Sequence, residues 1–380
     1  MIKTKNKRNF KTVVFLLLIA LVVTLVPVSI FAYAEEADGI IPTEGVIGIT
    51  PSSGTFTVST WDELGTAIAA ASTIGQYTMI IDGNLNAIGS GNQNAITIPA
   101  GRDILLVSDD AGVERIILQT VANQRHFIVN GTLTLGNGVA ISGDRQNVIT
   151  NHGGITVNSG GQLYMQTGSS IRNNLSGNNI NSAGVLVTGA GSGFTMNGGT
   201  ISGNFTNTGN GGSNGGGGVR VNAGATFTMN GGLIHDNLTG RFGGGVYVNA
   251  STFIMNNGVI SGNTGLLGGG VTLMGASANV TMNGGEIHNN TAALGGGVNV
   301  EIGTFTMNDG LIHENTGTGR NNTDTANDAN RGGAGVFIQG GGTFNLHGGT
   351  IRRNIAEFGR RRRCSNIYKW CNNPNDWWYN

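Results

Sequence analysis

Residues 35–359 contain no lysine and no cysteine. Both cysteines, Cys364 and Cys371, lie beyond that span, so it holds neither a disulfide nor a thiolate metal site. Packing and hydrogen bonds alone must keep it folded. Proline is scarce too: five occur, none between Pro99 and Pro374, which excludes a Pro-rich linker. The 67 glycines follow no Gly-X-Y period, which excludes collagen. Charged residues make up 11% of the chain, against about 25% in ordinary domains. The formal charge of zero is a sum over unlike segments. Residues 1–34 carry five bases (Lys3, Lys5, Lys7, Arg8, Lys11) and no acid. Residues 360–380 set four arginines and Lys369 against Asp376, a balance of +4. Between them stand 11 arginines and 20 acids, a balance of −9. So acidic a body offers no basic surface to a phosphate backbone, which argues against nucleic acid as a partner.

Long apolar runs are equally rare, and the one present spans residues 13–26. It follows the basic residues and precedes Ala32-Tyr33-Ala34, a small-x-small cleavage pattern, so residues 1–34 read as an export signal. No other stretch approaches the roughly 20 apolar residues of a membrane span. The expected mature protein is secreted or held at the cell surface. It starts with an exposed linker over residues 35–58 and makes no membrane contact once the signal is cleaved.

What the sequence has in abundance is repetition. Thr-Phe-Thr-Met-Asn-Gly-Gly from Thr226 recurs, slightly altered, from Gly193, Thr252, Asn279, Thr304 and Thr343. Weaker copies centre on Leu135 and Met165. Gly-Gly-Gly-Val precedes the phrase from Gly243, Gly268 and Gly295, and Ile-x-x-Asn follows it from Ile201, Ile234, Ile260, Ile287 and Ile312. Each unit holds three short runs of alternating apolar residues, such as Val246/Val248, Phe253/Met255 and Val259-Ile260. Gly and Asn between the runs supply positive-φ turns. Three strands in about 26 residues leave no room for a helix and describe one coil, stacked on the next at ~4.8 Å. The fold class is therefore all-β, a parallel β-helix or solenoid. Equivalent residues form columns: Phe194, Phe227, Phe253, Val280, Phe305 and Phe344 point inward beside a column of Met. Asn174, Asn204, Asn237, Asn263, Asn290, Asn315 and Asn354 form a structural amide ladder that satisfies turn backbone.

These phrases resemble the right-handed parallel β-helix of the pectate-lyase-like superfamily, whose turns also carry an Asn ladder. More narrowly, they resemble the Gly/Asn/Thr-rich, adhesin-like surface proteins of bacteria and archaea. The resemblance covers roughly residues 55–359 and implies a short helix over the open N-terminal end of the coil. Thr60-Trp61-Asp62-Glu63 is a capping box that would open such a helix, with Leu64, Ala67, Ile68 and Ala71 on one face. Residues 59–130 are thus read as cap helix and first coils, and residues 131–359 as the repeat β-helix.

Residues 360–380 break the pattern, holding both cysteines, three of the four tryptophans and the only lysine after the signal. Tryptophan has a single codon, and reading one nucleotide later turns Trp370, Trp377 and Trp378 into glycine. The intervening codons then permit a further Thr-x-Met-Thr-Gly-Gly phrase. The expectation is a reading frame that slipped near Gly359, in a parent protein with further coils. Arginine codons at 360–363 lacking a third-position G would sink it. An uncapped C-terminal coil would then favour end-to-end self-association.

Chemistry is sparse. The repeat acids Asp236, Glu286, Glu301, Asp309 and Glu314 are scattered, and Glu286 and Asp309 occupy different places in their units. No paired acid/base site results, and neither the superfamily's acid cluster nor its catalytic base carries over. No catalytic or cofactor-binding residue is assigned. His235, His288 and His313 share one repeat position, and His288 and His313, on adjacent coils, are candidates for a shared metal ion. Asp324 and Asp328, in an insertion over residues 316–331, are candidates for a cation, with calcium the cofactor they would suit. The functional expectation is an adhesin-like or structural module. Its Asn/Thr/Gly-rich flank would bind polysaccharide or a host or neighbouring cell surface. The alternative is a polysaccharide lyase or glycoside hydrolase with its site in a loop or in missing coils.

Overall fold

Alternation at period two decides the architecture. In Thr226–Met229 the side chains of Phe227 and Met229 are fully buried while Thr226 and Thr228 face outward. The same alternation in each copy seats every coil in register on the one before. Phe194 opposes Phe227, then Phe253, Val280, Phe305 and Phe344 in succession, all in parallel. The Met column follows the same order beside it. In this computed structural model the described residues are 53–87, 94–145, 153–177, 182–207, 215–319, 333–358, 361–364 and 367–369. The expected export signal, Asp324 and Asp328 lie outside them.

Among the described residues the coils build four sheets, and the chain is an all-β parallel β-solenoid with one helix. Sheet 1 has 11 strands, from Gly54–Val58 to Thr343–Leu346. Sheet 2 has 10, from Leu85–Ala87 to Thr350–Arg352. Sheet 3 has 8, from Leu175–Ser176 to Arg361–Cys364, and sheet 4 has 10, from Ile96–Ile98 to Ile367–Lys369. The three expected strands per coil are present, and sheet 3 adds a fourth. Its strands are as short as Phe205–Thr206 and Leu238–Thr239, too short to display any alternation.

Inside the coils the apolar columns merge into one core. The rings of Phe194, Phe227 and Phe253 stack at 4.6 and 4.8 Å with planes 7° apart, and Val280 interrupts the stack before Phe305 and Phe344 resume it at 5.1 Å. Glycine triplets form the corner leading into sheet 4. A Cβ at Gly270 would sit 2.6 Å from the Gly297 carbonyl and 2.9 Å from Ile287 Cγ2, so successive backbones approach too closely there for any side chain.

Helix α1, Trp61–Ala70, has the expected capping box: Glu63 N donates to Thr60 Oγ1 and the Glu63 carboxylate accepts from Thr60 N. Its buried face packs on Gly54–Val58, Leu85–Ala87 and Ile96–Ile98, the first strands of three sheets. The helix therefore covers the N-terminal end of the solenoid. One boundary needs correction, because an exposed linker does not extend to residue 58. Gly54–Val58 pairs with Gln76–Ile81 as the first strand of sheet 1, and Val58 is buried in the core. At the other end, Arg361–Cys364 runs antiparallel to Ile355–Phe358, whereas the pairings of the repeat body are parallel.

Candidate functional site

Three polar columns distinguish the surfaces of the coil. The first is the buried Asn ladder, placed where expected. Asn263 Nδ2 donates to Asn290 Oδ1 at 3.0 Å and to the Ile234 carbonyl at 2.9 Å. Its Oδ1 accepts from both the backbone N and the Nδ2 of Asn237, each at 3.0 Å. The pattern repeats from Asn174 to Asn354. From Asn204 to Asn354 both donors and both lone pairs are engaged, so these amides have no capacity left for a ligand.

The second column is exposed and was not expected. The Asn of each Met-Asn-Gly-Gly phrase donates its Nδ2 to the residue one coil back. Asn197 reaches Gln166 at 3.5 Å, Asn230 reaches Asn197 at 2.9 Å, and Asn256 reaches Asn230 at 2.8 Å. Asn283 and Asn308 continue the row at 2.9 and 2.8 Å, and His347 Nδ1 lies 3.0 Å from Asn308 Oδ1. Because every amide donates in the same direction, each keeps one N–H and one oxygen lone pair for an outside partner. The outward threonines of sheet 1, such as Thr226, Thr228, Thr304 and Thr306, lie beside the row. The sequence signal was present, but an Asn before Gly-Gly reads first as a turn residue.

The third column is on sheet 2. His235, Ser261, His288, His313 and Arg352 oppose one another in that order. The rings of His288 and His313 stack at 4.8 Å and 22°. Glu286, two residues before His288 on the same strand, shares its face, and ligand atoms of Glu286, His288 and His313 all lie within 4.8 Å of one another. His313 Nε2 is 3.5 Å from Glu286 Oε2, and its Nδ1 is 3.5 Å from Glu314 Oε2. Among the described residues, His288 Nδ1 and His313 Nε2 are sealed from solvent without a hydrogen-bond partner. Burial, then the neighbouring His313, pushes the pKa of His288 below its ordinary value, which favours the neutral ring. His288 and His313 thus come together as expected. Across the repeats Glu286 aligns with Val259 and Leu311, so only the face it shares with His288 within one strand places it in the cluster.

The position preceding each buried Asn holds Gly, Asn, Asp, Glu or Arg in different units. Its backbone is left-handed throughout: φ is 52° at Asp236, 54° at Asn289, 54° at Glu314 and 53° at Arg353. No family model, curated protein or solved structure matches the chain, so the solenoid stands on its own geometry.

Proposed function

We propose that this is an exported β-solenoid, acting at or beyond the cell surface as an adhesin-like or structural module that binds glycan or another hydroxyl-rich polymer. The observation that carries the reading is the exposed amide row from Gln166 to His347 beside the threonines of sheet 1. Hydrogen bonds between neighbours already orient these amides, so a polymer meeting them orders few side chains on binding. Their repeat, one strand spacing of ~4.8 Å, suits an extended chain with regularly placed hydroxyls. Neutral donors and acceptors fit a sugar better than a phosphate. Export rests on the basic-apolar-small pattern of residues 1–34, and the likeness of the repeats to pectate-lyase-like coils and adhesin-like surface proteins points the same way.

The test is a polysaccharide array probed with the purified protein and with the triple variant Asn230→Ala/Asn256→Ala/Asn283→Ala. The same samples are assayed for unsaturated uronide and for new reducing ends. Wild type should retain at least one polysaccharide, the variant should lose it at an unchanged thermal midpoint, and no product should appear. Undiminished binding by the variant overturns the site. Polymer cleavage abolished by substituting a single acid overturns the class in favour of a lyase or hydrolase.

A further inference from the structure

The outward face of sheet 2 carries a second, chemically distinct site. We propose that Glu286, His288 and His313 bind a divalent transition-metal cation of the zinc class, with Glu314 orienting His313. Strand period two sets Glu286 and His288 on one face, and parallel register sets His313 opposite His288 on the next coil. The three ligand atoms fall within 4.8 Å of one another. Two of the nitrogens, His288 Nδ1 and His313 Nε2, are sealed from solvent and make no hydrogen bond. His313 Nε2 has only the Glu286 carboxylate at 3.5 Å, an arrangement of donors that a cation between them would satisfy.

Glu314 supplies a separate argument. Its carboxylate lies 3.5 Å from His313 Nδ1, on the side away from Glu286, and Arg353 Nη1 lies 3.7 Å from its other oxygen. A carboxylate behind an imidazole is the arrangement that fixes a metal-binding ring's tautomer and raises its basicity. The donor set selects the ion. Two imidazoles and one carboxylate suit zinc, nickel, cobalt or copper, whereas calcium takes oxygen ligands. Bonds of about 2.0–2.1 Å place tetrahedral donors roughly 3.3 Å apart. The two rings must therefore tilt out of their stack as the ion binds, a side-chain rotation that leaves both strands in place. A fourth position then faces outward, free for water or for an oxygen of a bound polymer.

The neighbouring groups are compatible with a cation. Ser261 opposes His288 from the preceding coil, and Val259 and Leu311 flank Glu286. Arg352 opposes His313 on the following coil, and Arg353 pairs with Glu314 at 3.7 Å.

Isothermal titration of the chelator-treated protein with Zn2+, and the visible spectrum of its Co2+ form, test the proposal. One ion should bind per chain, with the intense bands of four-coordinate cobalt and no competition from Ca2+. Glu314→Gln should weaken binding by about 10–100-fold, His288→Ala and His313→Ala each by more, and His235→Ala not at all. Equal thermal midpoints without metal establish that the variants fold. The absence of saturable binding overturns the site, as does binding that survives His288→Ala/His313→Ala. This outcome is independent of the polysaccharide assay, since the exposed Asn row is intact in every variant used.

Discussion

An asparagine amide has two donors and two lone pairs, and the two Asn columns use them differently. Asn263 has all four engaged inside the coil, whereas Asn256 has half of them free at the surface. Asn263→Ala strands the backbone N–H and Nδ2 of Asn237 and the carbonyl of Ile234 in a dry interior. At about 1–3 kcal/mol for each buried group left unsatisfied, a loss of roughly 3 kcal/mol is expected after partial relaxation. Asn256→Ala exposes its former partners to water and should cost under about 0.5 kcal/mol. Urea denaturation followed by circular dichroism compares the two. Similar losses would mean that burial does not distinguish the columns. Residue identity and spacing made both columns visible in the sequence. Only burial separated the structural one from the one with capacity to spare, and burial depends on where each turn points.

At the scale of the element, strand existence was legible because apolar residues alternate within each repeat and the same phrases recur in the same order, with length differences confined to the segments between them. Sheet 3 escaped notice for the opposite reason: two residues such as Leu238–Thr239 carry no period. Glu286 escaped because repeat-to-repeat alignment hides what neighbours share a face within one strand. Long-range clasps were also invisible. Glu114 precedes Arg115–Gln119 in sheet 2, yet it pairs bidentately with Arg172, two coils away, with Nη2 to Oε2 at 2.6 Å. The intervening strand, Val139–Ser142, carries no charged residue, and Ser142 is the one opposite Arg172. Hydrogen bonding to Arg172 holds the Glu114 pKa below the ordinary 4.5, against the opposing effect of burial. A carboxylate lowered on folding adds stability that is fully present above its unfolded pKa and disappears as pH falls through the folded value. Because the pair is partly exposed, the gain should stay below about 1 kcal/mol. Thermal midpoints of wild type and Glu114→Gln should therefore differ slightly at neutral pH and converge in acid. A gap that persists or widens in acid would assign the effect to something other than this ion pair.

For the whole molecule, a solenoid has nearest-neighbour energetics, and its two ends are its exceptional coils. The N-terminal end is closed by α1, with Trp61 stacked 6.5 Å from Phe127 and buried. The described C-terminal coil is different. Leu346 continues the Met column, in which Met307 is fully buried, yet it is 49% exposed; Phe344 and Ile351 are only partly buried. Among the described residues, Thr343–Leu346 and Thr350–Arg352 pair on one side only, and such an apolar edge is a template for another copy of itself. Opposing this, residues 35–380 carry a balance of −5, from −9 over residues 35–359 and +4 beyond them, a repulsion that salt screens. The purified protein should thus be monomeric when dilute at low ionic strength and associate as concentration or salt rises, as measured by light scattering after size exclusion. Leu346→Arg places a charge on the open edge and should abolish association without unfolding the coils beneath it. Leu64→Ala, at the capped end, should lower the thermal midpoint and leave the C-terminal contact intact. Association undiminished in Leu346→Arg would place the contact elsewhere, with the exposed threonine face of sheet 1 as the next surface to substitute.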